Sequence, residues 1–184
     1  MADQIIADGP RAPMRKVLII GSAGAGKSTL ALHLGRQLGL PVIHLDAHFW
    51  QPGWRETPRD IWKQRVADLI RRDSWIMDGN YGGTLEERVQ SADTVILLAF
   101  PRVQCVFRVI KRAIRHRGRA RADLNPECPE HWPDWAFLRW IWTYPTAKLP
   151  GIIDLLDACD RQKRIVILRS SAEVRQFLAT LHPR

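Results

Sequence analysis

Cysteine is scarce in this chain, with three among 184 residues. Cys105, Cys128 and Cys159 are odd in number, far apart and form no C-x-x-C pair, which excludes a disulfide framework and points to a reducing cytoplasm. Cys128 and His131 alone fall short of the four ligands of a structural zinc site. Long apolar runs are missing too. Val95–Phe100 is among the longest, against the roughly 20 residues a spanning helix needs, so no membrane association is expected. Residues 1–14 lack the basic start and the apolar stretch of about 7–15 residues of a secretory signal. Only Ile5–Ala7 is apolar there, between Asp3 and Asp8. The segment is read as a flexible lead-in, with Met14 a second candidate start, ahead of one domain over residues 15–184. Acid is the last shortage: 19 Asp and Glu against 28 Lys and Arg give a net charge of +9. Nucleic acid, an acidic surface and phosphorylated small molecules all attract such a chain. Composition alone does not choose among them.

With 46% apolar residues the chain can bury a sizeable core. Arg15–Gly21 is a β-branched run ending in glycine, the pattern of a buried strand. Ser28–Leu38 follows with leucines at helical spacing. Pro41–Leu45, Trp75–Met77, Thr94–Phe100 and Arg164–Leu168 read as further strands. Pro58–Arg72 is an amphipathic helix. Pro101 opens a helix to Ile114. Asp134–Thr143 is a tryptophan-rich helix expected to stop near Tyr144–Pro145, and Ala172–Leu181 a last helix capped by Ser170 or Ser171. Arg115–Pro133, polar, basic and interrupted by proline, reads as a mobile lid. Strands alternating with helices predict an α/β doubly wound sandwich around a parallel sheet.

Gly21-Ser22-Ala23-Gly24-Ala25-Gly26-Lys27-Ser28, continued by Thr29, fits G-x-x-x-x-G-K-[ST] in full, between a strand and a helix. Glycines let the backbone wrap a polyphosphate and aim N–H groups at its oxygens. The helix N-terminus adds about half a positive charge. Lys27 is expected on the β- and γ-phosphates and the Ser28 hydroxyl on Mg²⁺, so ATP and Mg²⁺ are the implied cofactors.

Ligands of an open parallel sheet bind beyond the carboxyl ends of its strands. Asp46 in HLDAHFW and Asp78 in WIMDGNYGG stand there. Either carboxylate can hold Mg²⁺ or orient an attacking hydroxyl; a surface aspartate capping a loop is the plainer alternative. His48, Trp50, Trp54, Gly79 and Tyr81 lie in the same two segments and join the candidate substrate-binding set. Trp50 and Trp54 sit in a Gly/Pro loop, where they either stack on a base or sugar or clasp the loop. Trp62 and Trp140 are assigned to the core. Arginines 102, 108, 112, 115, 117, 119 and 121 crowd within twenty residues. Arg108, Arg112 and Arg115 share one helical face. With few acids between them, they call for an anion to clamp, against the alternative of a solvated basic face.

These segments resemble the adenylate-kinase-like nucleotide kinases of the phosphate-loop class. GSAGAGKSTLA, HLDAHFWQPGW, WIMDGNYGGTL, RVIKRAIRHRGRAR, the CPE at 128–130 and FLRWIWTYP are closer still to bacterial topology modulation proteins, over about Lys16 to Leu181. The resemblance implies a five-stranded parallel sheet of order 2-3-1-4-5, an acceptor region at about 46–73 and a small arginine lid at about 115–133. Pro101 is followed seven and eleven residues later by arginines, as in adenylate kinases. Arg108 then resembles the residue packed on the ATP base, Arg112 one that binds phosphates, and Arg139 a further phosphate ligand. Asp78-Gly79 matches the family's Asp-Gly, but Asn80-Tyr81-Gly82 replaces its Phe-Pro-Arg, an arginine that helps hold an acceptor monophosphate. Asp46 resembles the carboxylate that faces the acceptor hydroxyl in small-metabolite kinases.

The expected function is transfer of the γ-phosphoryl group of MgATP to a small acceptor, a nucleotide or a hydroxylated metabolite. Lys27, Arg112, Arg119 and Arg139 would stabilise the moving charge. Asp46 would orient or deprotonate an acceptor hydroxyl, or position Mg²⁺; Asp78 would join Ser28 at the metal. The competing reading is a nucleic-acid-binding ATPase or regulator, with arginines spread over an exposed face.

Overall fold

In the computed structural model, residues 14–119, 123–159 and 163–181 are described; the lead-in before Met14, Arg121 and Arg161 lie outside them. The chain alternates strands and helices: β1 (Lys16–Gly21), α1 (Lys27–Leu38), β2 (Val42–His44), α2 (Leu45–Phe49), β3 (Trp50–Gln51), β4 (Arg55–Glu56), α3 (Arg59–Ile70), β5 (Trp75–Asp78), α4 (Leu85–Ser91), β6 (Thr94–Leu98), α5 (Arg102–Arg115), α6 (Trp135–Ala147), α7 (Leu149–Asp157), β7 (Arg164–Leu168) and α8 (Ser171–Thr180). Five strands form one parallel sheet in the order β2-β5-β1-β6-β7. Numbered among themselves, that is the expected 2-3-1-4-5.

Parallel strands between two helical layers are buried on both faces and therefore read as unbroken apolar runs. Val17–Ile20 and Val95–Leu97 are all fully buried. Their side chains alternate between two cores. Leu18, Ile20, Met77 and Leu97 meet Trp62, Val66 and Leu69 of α3, Val89 of α4 and Leu156 of α7. Val17, Ile19, Ile76 and Ile96 meet Leu30 and Leu34 of α1, Val109 of α5 and Phe177 of α8. Trp75, with no exposed surface, fills the first. Trp62 is buried there as expected, while Trp140 is only half-buried and touches both cores.

Two local expectations need correction, the open loop after Asp46 and the end of the tryptophan-rich helix, and two further segments gain detail. The Gly/Pro segment after Asp46 is no open loop: α2 is followed by an antiparallel hairpin pairing Trp50 with Glu56. A 3-10 turn at Gly82–Thr84 and helix α4 fill a stretch with no clear helical period. Helix α6 runs past Pro145 to Ala147 and is followed by α7. Pro145 cannot donate to the Ile141 carbonyl, and α6 continues only two residues beyond it. At α8, Ser170 is the cap, as expected: its Oγ accepts from the Glu173 backbone N–H at 3.2 Å, and Glu173 Oε2 accepts from the N–H of Arg169, one residue before the cap, at 2.8 Å, close to a capping box.

Candidate active site

The carboxyl edge of the sheet gathers the candidate residues. Gly21, Gly24 and Gly26 have φ of 143°, 77° and 97°, backbone that favours glycine. A Cβ at Gly24 would lie 2.3 Å from the Cys105 carbonyl oxygen of α5, so the loop closes against that helix only as glycine. Ser22, Ala23 and Ala25 complete the turn, which enters α1 at Lys27 with Ser28 and Thr29 in its first turn. Lys27 Nζ donates to the Ser22 carbonyl at 3.0 Å, folded back over its own loop. Burial lowers the Lys27 pKa, against the opposing charges of Asp46 and Asp78; Arg112 lowers it further. Lys27 therefore feels both carboxylates and the α5 arginine at once.

Strand register explains Asp78. In the β2–β5 pair His44 stands beside Asp78. His44 Nδ1 lies 2.6 Å from Asp78 Oδ1, and Ser28 Oγ donates to Asp78 Oδ2 at 2.7 Å. Burial pulls the His44 pKa down, but the hydrogen bond and charge of Asp78, with Asp123 and Asp46, outweigh it and raise it. The Ser28 hydroxyl beside the Asp78 carboxylate is a hard oxygen pair of the kind Mg²⁺ takes. Among the described residues no cluster of three or more His, Cys, Asp or Glu side chains could hold a metal. A cation here would accordingly take its other ligands from substrate phosphates and water.

Asp46 projects from α2, and Tyr81 donates its hydroxyl to Asp46 Oδ1 at 2.6 Å. Burial, followed by the Asp46 charge and hydrogen bond, pushes the Tyr81 phenol far up, so it stays a donor. Gly79 has φ 138°, and a Cβ there would sit 2.8 Å from Leu45 Cβ. Tyr81 itself has φ 29°, a strained value for a side-chain-bearing residue. Its restraint is Arg88, fully buried on α4, which donates to the carbonyls of Gly79, Asn80, Tyr81 and Thr84. Burial lowers the Arg88 guanidinium to about 10, against the Tyr81 and Glu87 charges. Asn80 Oδ1 accepts from the Gly21 N–H at 3.1 Å, stitching this turn to the phosphate loop. His48 is half-buried; burial, then Arg65 and Arg72, lower its pKa, and Arg65 donates to its carbonyl.

The α5 arginines diverge. Arg108 donates to the Ala25 carbonyl at 3.3 Å and Ser171 Oγ at 2.9 Å, over the Phe100 ring. Arg112 Nε donates to Glu130 Oε1 at 2.9 Å. Arg115 and Arg119 are exposed, as is Arg139 on α6, while Arg102 lies over the Trp142 ring. Few acids stand among the arginines in the sequence, but the fold brings one to Arg112: Glu130, 6% exposed. Trp50 and Trp54 pack edge to face in the hairpin, with ring centroids 5.3 Å apart. His44, Asn80, Arg88 and Glu130 were missed by sequence reasoning. A His two residues before Asp46, on a strand paired with that of Asp78, was the available signal for His44; a lone Arg in an unassigned segment gave none for Arg88.

No family model and no curated protein matches the sequence. Among solved structures, the chain is similar to a shikimate kinase from Acinetobacter baumannii in complex with shikimate, at 17% identity and TM-score 0.58, covering 91% of this chain and 90% of that one. It is also similar to a shikimate kinase from Bacteroides thetaiotaomicron, at 15%, 0.58, 91% and 96%. A gluconokinase from Sinorhizobium meliloti 1021 matches at 16%, 0.52, 93% and 93%. At these identities the likeness is one of fold: the chain has the fold of phosphate-loop kinases over nearly its whole length.

Proposed function

We propose that this protein transfers the γ-phosphoryl group of MgATP to a hydroxyl of a small acceptor. The observation that carries the reading is the convergence on Lys27 of the Asp46 and Asp78 charges, one carboxylate hydrogen-bonded to Ser28 and the other to Tyr81. Gly21–Thr29 would cradle the β- and γ-phosphates through backbone N–H groups. Ser28 and Asp78 would hold Mg²⁺, which supplies charge neutralisation at the β–γ bridge when bound. Arg108 stands where a base would stack, against the loop after β7. Arg112, with Arg119 of the lid and Arg139 of α6, would cover the equatorial oxygens.

Asp46 is the residue we place at the acceptor hydroxyl. Tyr81 donates to one carboxylate oxygen and so fixes the orientation of the group that would accept the proton. A hydroxyl suits this site better than a phosphate monoester, because Asp46 would repel a dianion and no arginine stands at Asn80-Tyr81-Gly82. Two of the similar folds are named for kinases of shikimate and one for a gluconokinase, in keeping with an acceptor of this kind. We place the acceptor region at about 46–73, the lid at about 115–133 and His48, Trp50, Trp54 and Gly79 around the acceptor. We read residues 15–184 as one domain whose motifs resemble those of the topology modulation proteins.

The test is acceptor-stimulated ADP release across a panel of hydroxylated acids, polyols and nucleoside monophosphates. Stimulation by a hydroxylated compound, with Asp46→Asn reducing kcat by about 10²-fold or more while leaving ATP affinity within a few-fold, supports the reading. Stimulation by nucleoside monophosphates alone, or an unaffected Asp46→Asn variant, removes Asp46 from the role.

A further inference from the structure

The CPE tripeptide at 128–130 lies in the lid, and each of its residues makes a contact of a different kind. Cys128, fully buried, points its thiol at the Gln51 carbonyl, 3.2 Å away on the hairpin. The Pro129 carbonyl accepts from Trp54 Nε1 at 3.0 Å. Glu130 Oε1 accepts from Arg112 Nε at 2.9 Å. Around them the Gly53 N–H donates to the Glu127 carbonyl at 3.2 Å, and the Trp54 ring meets His131 with centroids 5.0 Å apart. Trp54 has φ 60°, a conformation held by these neighbours. The Glu130 backbone is fixed as well: its N–H donates to the Arg119 carbonyl at 2.9 Å and its carbonyl accepts from Gly118 at 3.0 Å.

We propose that Glu130 is the positioning residue for Arg112, and that Cys128-Pro129-Glu130 mechanically joins the hairpin at 50–56 to that arginine. The inference rests on the nucleotide-binding reading of the phosphate loop. Only Pro129 separates the hairpin contact at Cys128 from the carboxylate that aims Arg112. Arg112 follows one turn after Arg108, which donates to the Ala25 carbonyl of the phosphate loop at 3.3 Å, and its charge adds to the burial that lowers the Lys27 pKa. A charge-assisted hydrogen bond from a buried carboxylate fixes a guanidinium plane better than solvent does. A triphosphate that engages other N–H groups of the Arg112 guanidinium pulls on the plane that Glu130 holds through Nε, and the displacement reaches Trp54 through Pro129. Donor and acceptor halves of the site thereby move together, which gives a kinase a way to admit the donor's charge only when the acceptor side is shut.

The experiment uses the full chain labelled with 5-fluorotryptophan, the Trp54 resonance being assigned by its loss in Trp54→Phe. The non-hydrolysable analogue AMPPNP with Mg²⁺ is titrated in, and binding is followed separately by calorimetry. The expected result is a shifted Trp54 resonance at saturation in the wild type. In Glu130→Gln, AMPPNP still binds, more weakly by about threefold to thirtyfold, and Trp54 no longer shifts. Cys128→Ala, which cuts the connection at the hairpin end and leaves the Arg112 bond intact, keeps affinity within about twofold and reduces the shift. A variant with merely structural damage would lower the melting temperature without separating binding from the Trp54 signal. A wild-type resonance that stays put at saturation overturns the proposal, as does an equal shift in Glu130→Gln and Cys128→Ala. Absence of calorimetric binding instead overturns the phosphate-loop reading, and the clasp with it.

Discussion

At the scale of single residues, the site depends on partners that neutralise or orient each charge. His44 is the clearest case, because its neighbour in strand register is also a candidate metal ligand. Its folded pKa is raised above the ordinary value of 6.5 by Asp78, with burial opposing. A group of this sign gives stability that is fully present below 6.5 and is lost as the pH rises through the raised folded value. Thermal melts should accordingly show wild type above His44→Asn at acid pH, with the gap narrowing as the pH climbs past neutrality. A gap that widens with pH would reverse the assignment. Functionally the same proton competes with Mg²⁺ for Asp78, so metal affinity should strengthen over the interval in which the gap narrows.

Elements place these residues, and two turns carry the strain. The phosphate loop needs glycine at position 24, where a Cβ would meet the Cys105 carbonyl and φ is 77°. Gly24→Ala should lower the melting temperature by roughly 5 °C, from a strain of about 1–3 kcal/mol, and abolish ATP binding measured by calorimetry; retained affinity would mean the loop has another shape. The second turn, 79–84, is pinned by Arg88. Arg88→Leu strips several buried carbonyls of their donor, at about 1–3 kcal/mol for each left orphaned. Thermal unfolding should move down by roughly 10 °C, and Tyr81 should lose its place against Asp46. The phosphate loop was legible in the sequence because its glycines, Lys27 and Ser28 are local and each has one physical reason to be there. The five main strands were legible because burial on both faces leaves unbroken apolar runs. Arg88 and Glu130 were not, since their meaning lies in backbone carbonyls and in an arginine 18 residues away, contacts made only by the fold. Helix α4 and the hairpin escaped for a related reason: they are too short for a period, and tertiary contacts rather than propensity hold them.

For the whole molecule, the charge of +9 resolves into several surroundings rather than one face. Arg88 is spent inside the fold, Arg108 and Arg112 turn toward the phosphate loop, and Arg115 and Arg119 are exposed near the lid. That distribution suits a triphosphate drawn into a cleft more than a continuous track for nucleic acid. Among the described residues no helix is long and apolar enough to cross a membrane. The parallel sheet brings Lys27, Asp46 and Asp78 from three separate stretches of chain to one edge, and the central claim is that this edge moves phosphate. The most direct measurement follows the label from γ-labelled ATP and Mg²⁺ into a hydroxylated acceptor, with Lys27→Ala alongside. The account predicts label on a hydroxyl oxygen of one acceptor class, absent with Lys27→Ala. Label released only as inorganic phosphate with every acceptor, together with salt-sensitive retention of DNA or RNA, would contradict it.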